Sequence, residues 1–109
     1  MKISQKYHFN YKSMDDIYAY TSPEIIAKLG ARYREYRQLS RLTLKEVAEK
    51  AGLSVMTIQK FESGTAKDVT MTTILRLLRV INQLENIEAL LPEIPESPYK
   101  DDGYRSPSV

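Results

Sequence analysis

Residues 43–64, TLKEVAEKAGLSVMTIQKFESG, decide how this chain folds. Thr43 followed three positions later by Glu46 is a capping box, in which hydroxyl and carboxylate each satisfy a backbone N–H at a helix start. Gly52 marks where that helix ends, because a left-handed turn costs glycine no Cβ clash. Ser54 caps a second short helix running to about Glu62, and Ser63-Gly64 closes it. Val47 and Ala48 face inward from the first helix, and Ala48 must be small where the second crosses close by. Leu53 drops into the core, while Ile58 and Phe61 anchor the second helix from beneath.

Upstream, Ser22 and Pro23 form the cap-then-proline pattern that opens a helix. Ile26, Leu29, Tyr33, Tyr36 and Leu39 then recur at spacings of three and four, an apolar stripe over residues 24–40. Arg32, Arg34, Arg37 and Arg41 stud the latter half. Downstream, Thr70 or Thr72 starts another helix with Ile74, Leu77, Leu78 and Ile81 on one side. Asn82 breaks it, and a last short helix over residues 86–91 stops before Pro92.

The ends differ in kind from this middle. Ile3, Tyr7, Phe9 and Tyr11 alternate with polar residues, the period-two signal of a strand. A single strand needs a partner for its edge, either its own copy in a dimer or another protein. A loose arm carrying tyrosines fits the same residues. Ser13 begins a short helical stretch through Ile17 and Tyr20. After Pro92 come three more prolines, Gly103 and several serines, the composition of a mostly disordered tail. The chain thus divides into an arm at 1–22, a folded domain at 23–91 and an acidic, Pro-rich tail at 92–109.

Length and composition limit what the domain can be. The 109 residues, 42% hydrophobic, suffice for one core, and no apolar run approaches the roughly 18 residues that span a bilayer, so no membrane partner is expected. Without cysteine there is neither disulfide nor zinc finger, and the first residues lack a secretory pattern. A cytoplasmic protein is expected. Charge is uneven: residues 31–80 carry ten Lys/Arg against five Asp/Glu, and residues 81–109 two against six. A basic middle beside an acidic tail points to a polyanion, on a nucleoid-associated protein. Catalysis has little to work with. His8 is the one histidine, Asp15 and Asp16 adjoin without facing each other, and no glycine-rich phosphate loop occurs. No enzyme, metal or cofactor is expected.

Residues 43–64 resemble the helix-turn-helix of the Cro/repressor-type, or XRE, family of DNA-binding regulators. The likeness runs from about Ile25 to Leu91, and the FESG ending at residues 61–64 is a specific mark. The resemblance implies an all-α fold: a five-helix lambda-repressor-like bundle, here with a short N-terminal strand or arm and a disordered C-terminal tail. It also implies that Arg37 pairs with Glu62, pinning the second helix to the first of the bundle. At Leu44 the chain departs from relatives whose glutamine contacts the DNA backbone there, which puts one usual clamp in doubt.

With Ile58 and Phe61 inward, Val55, Met56, Gln59 and Lys60 share the opposite face of the second helix. A rod of eight residues is roughly 12 Å long, close to the width of the major groove of double-stranded DNA. Val55 and Met56 can read thymine methyls, Gln59 can pair with adenine N6 and N7, and Lys60 can donate to guanine or to a phosphate. Thr43, Ser54 and Thr57 lie at helix starts, where free N–H groups and hydroxyls favour anions. Arg41 and Lys45 stand at the mouth of the first helix, and Thr65 and Lys67 follow the second, all candidates for phosphate contact. Because one such helix spans few base pairs, a homodimer binding a palindromic operator is expected. Residues 77–98, LLRVINQLENIEALLPEIPESP, resemble regulators encoded beside HipA-type kinase toxins. That resemblance implies an antitoxin that also binds a toxin protein. Closing the bundle or forming a dimer face explains Leu84, Ile87, Leu90 and Leu91 equally well.

Overall fold

The computed structural model describes residues 16–95, and all regular structure among them is helical. A 3-10 turn at Ile17–Ala19 precedes α1 (Ser22–Leu39), α2 (Leu44–Ala51), α3 (Val55–Ser63) and α4 (Met71–Val80). A 3-10 helix, Leu84–Leu90, is the fifth helix of the bundle. The expected strand at residues 1–12 lies outside the described residues, as does the tail beyond residue 95. Residues 92–95, where that tail begins, are exposed and irregular.

Local chemistry sets nearly every boundary. Thr43 N donates to Glu46 Oε1 at 2.8 Å and Glu46 N to Thr43 Oγ1 at 3.0 Å, the reciprocal box expected at the start of α2. Thr70, rather than Thr72, caps α4 by accepting from Thr73 N. One boundary moves: Thr21, not Ser22, caps α1, because only Thr21 has a glutamate three residues on. Thr21 N donates to Glu24 Oε1 at 2.8 Å and Glu24 N to Thr21 Oγ1 at 3.2 Å. Pro23 falls in the first turn, where a missing N–H costs nothing.

The helix ends use left-handed residues. Gly52 (φ 71°) and Gly64 (φ 85°) close α2 and α3 as glycines should. Arg41 (φ 59°) and Asn82 (φ 60°) do the same after α1 and α4 without that freedom. Leu42 N reaches Arg37 O at 3.2 Å and Gln83 N reaches Leu78 O at 2.9 Å, the bonds that wrap a helix end shut.

The core comprises Tyr33, Val47, Ala48, Ala51, Ile58, Phe61, Leu77 and Ile81, with Leu44 and Leu53 packed partly buried on its edge. Burying a side chain such as Phe61 or Leu77 contributes about 1.5–3 kcal/mol. The buried line on α1 differs from the expected stripe. Gly30, Tyr33 and Arg37 are its buried residues, whereas Leu29, Tyr36 and Leu39 are exposed. Gly30 is inward because α1 and α3 touch there: a Cβ would stand 1.8 Å from the Phe61 carbonyl oxygen. Tyr33 follows, its ring 5.9 Å from that of Phe61 and its hydroxyl donating to Leu77 O at 2.9 Å. One side chain of α1 thereby ties α3 to α4. Burial first, and then the Glu62 charge, raise the Tyr33 phenol well above its ordinary pKa, while Arg37 opposes them.

Candidate nucleic-acid interface

α3 is clamped from one side only. Ile58 is 0% and Phe61 2% exposed, whereas Val55 is 39% and Met56 61% exposed and both Gln59 and Lys60 are open to solvent. At 100° per residue, Val55, Gln59, Met56 and Lys60 span an arc of roughly 140°. Ser63 falls in the middle of that arc and is exposed as well. Its position four residues after Gln59 is the signal in the sequence that marks it. At nine residues α3 is roughly 14 Å long.

The clamp includes a buried ion pair. Arg37 Nε donates to Glu62 Oε2 at 2.7 Å and Nη2 to Glu62 Oε1 at 2.9 Å, a fork-on-fork arrangement. Nη1 donates to Leu42 O at 2.9 Å, so one guanidinium holds the end of α3 and the turn after α1 together. The two residues are 9% and 8% exposed, so this pair is not one of the solvent-screened surface contacts that contribute little. The hydrogen bond to Glu62 raises the Arg37 pKa against the lowering effect of its burial.

The helix starts are arranged differently from a simple row of free donors. In α2 the Thr43 N–H is taken by Glu46 and the exposed Thr43 hydroxyl accepts from Glu46 N. At α3, Ser54 Oγ accepts from Thr57 N at 3.0 Å and shares a second hydrogen bond with Thr57 Oγ1 at 2.8 Å. One hydroxyl proton of that pair stays available, together with the N–H groups of Val55 and Met56, which have no intrahelical acceptor. After α3, Thr65 N and Ala66 N both donate to Lys60 O at 3.1 Å, which folds the loop back on the helix. Thr65, Lys67, Arg41 and Lys45 are exposed around this surface. Leu44 turns toward the core and offers no polar group to it.

A family model described as helix-turn-helix matches residues 34–85, which cover the end of α1 through the start of the 3-10 helix. No curated protein matches the chain significantly. Residues 34–85 are thus similar to a helix-turn-helix domain, which supports a DNA-binding regulator of the Cro/repressor (XRE) type. Such domains are regulatory rather than typically enzymatic. Among the described residues no helix is long and apolar enough to cross a membrane.

Proposed function

We propose that the protein is a homodimeric repressor that reads a palindromic operator with α3. The observation that carries this reading is the division of α3 between Ile58 and Phe61, sealed in the core, and Val55, Met56, Gln59 and Lys60, left open. A helix so divided can enter the major groove without disturbing the bundle. Gln59 is the base reader, pairing with adenine; Val55 and Met56 contact thymine methyls; Lys60 serves a guanine or a phosphate. Thr43, Ser54, Thr57, Thr65, Lys67, Arg41 and Lys45 hold phosphates around it. Arg37 and Glu62 set the angle of α3 without touching DNA.

Support for a dimer comes from the other side of the molecule. Leu29, Tyr36, Met71, Leu78, Ile87 and Leu90 line an apolar groove of about 460 Å³ between α1, α4 and the 3-10 helix. A second copy seated there would bury this apolar surface and give the assembly two α3 helices for one duplex. Selection from random duplexes tests the reading: it predicts a two-fold site with half-sites about 10 bp apart. Recovery of single, unpaired half-sites contradicts it.

A second reading is an antitoxin that binds a HipA-like kinase toxin and represses its own operon. The exposed run Leu90, Leu91 and Ile94 favours it, because apolar side chains leaving the bundle suit a protein partner. Coexpression with the neighbouring gene product separates the two: a stable complex supports the antitoxin, and independent migration supports the simple repressor.

A further inference from the structure

A pocket of about 590 Å³ lies away from the apolar groove, where the last turns of α2 and α4 meet the end of α1. Lys50, Arg76 and Arg79 line it with the polar groups of Ser40 and Asn82, and no Asp or Glu does. Among the described residues none of these three cations has an ion-pair partner. Part of this has a bland cause. Lys50 and Arg79 sit in last turns, where a cation offsets the negative end of the helix dipole. Arg76 does not fit that explanation. It stands in the middle of α4 and leans across to the Gly52 carbonyl, with Nη1 3.4 Å from the oxygen.

Three helix ends contribute roughly half a negative charge each, so three cations leave the pocket near +1.5. A site of that charge and size, with the Asn82 amide as a neutral donor beside the cations and the Ser40 hydroxyl spent on Tyr36 O, suits an oxyanion of two or more charges. We propose that this pocket is a second phosphate-binding site, separate from the α3 face and independent of its base-reading role. The phosphates come either from the DNA backbone beyond the groove or from a free oligophosphate. In both cases Arg76, which also contacts the turn between α2 and α3, is the side chain that senses the anion.

Inorganic pyrophosphate is the probe for the free source, and the salt dependence of operator binding is the probe for the DNA source. Both use the full chain and the double variant Arg76→Ala/Arg79→Ala. Arg76 and Arg79 are exposed, so the variant keeps the helical circular dichroism of the parent. Pyrophosphate is expected to shift the amide resonances of Ser40, Leu42, Ala51 and Asn82. The double variant weakens that binding by roughly fivefold or more, and Arg76→Lys restores much of it. If the phosphates belong to DNA, the variant instead makes the slope of log K against log salt shallower by about one to two units. Either result supports the site and names its source. Pocket amides that ignore pyrophosphate while the slope stays unchanged overturn it, as do shifts that survive in the double variant.

Discussion

At Gly30 a single absent methyl group sets the distance between α1 and α3. Alanine there gains about 1 kcal/mol of helix propensity but places its Cβ 1.8 Å from a backbone oxygen that cannot rotate away. Gly30→Ala is therefore expected to destabilise by about 1–3 kcal/mol in urea unfolding, and a more stable variant contradicts the packing described. Tyr33 carries a prediction in pH. Above about pH 10 an unfolded Tyr33 loses its proton while the folded one keeps it. The native state then binds more protons, and stability falls as pH rises. Tyr33→Phe removes this term, so its stability curve between pH 10 and 11.5 should be flatter by about 1.4 kcal/mol per unit at most. Equal slopes in the two proteins rule out the buried phenol. Neither role was visible in the residue pattern. A glycine inside a helical stripe marks a close approach only once its neighbour is known, and the Tyr33 hydroxyl finds its acceptor 44 residues away.

The elements were legible where their chemistry is local. Capping boxes, left-handed glycines and the Ile58–Phe61 spacing act within a few residues, so α2 and α3 could be read directly, and the start of α4 only to Thr70 or Thr72. The cap of α1 slipped by one residue because Ser22 and Thr21 are both good caps, and only the glutamate at the third position decides between them. The last helix is 3-10 rather than α, a difference that spacing over seven residues does not encode. The end of α1 carries the element-scale prediction. Arg41 holds φ 59°, which costs a side chain about 1–2 kcal/mol. Glycine relieves this and returns about 0.4–1 kcal/mol through a freer unfolded chain. Arg41→Gly should raise thermal stability by roughly 0.5 kcal/mol while weakening DNA binding. A loss of stability contradicts the left-handed closure of α1.

At the scale of the whole molecule, one small core serves surfaces of different character. The α3 face is mixed polar and apolar, the groove between α1, α4 and the 3-10 helix is apolar, and the pocket at the helix C-termini is basic. The first was readable because its residues are consecutive on one helix. The pocket draws on three segments and the groove on four, and no single stretch of sequence shows them. Arg37 links the end of α3, through Glu62, to the turn after α1, through Leu42, a residue of the basic pocket. In the proposed function this assembly presents Gln59 to a base edge. That role is tested by measuring Gln59→Ala against the selected operator and every single-base variant of it. Preference should relax at one position per half-site, with a discrimination of about 1–3 kcal/mol lost there and the rest unchanged. Uniform weakening across all variants would show that α3 does not read bases through Gln59.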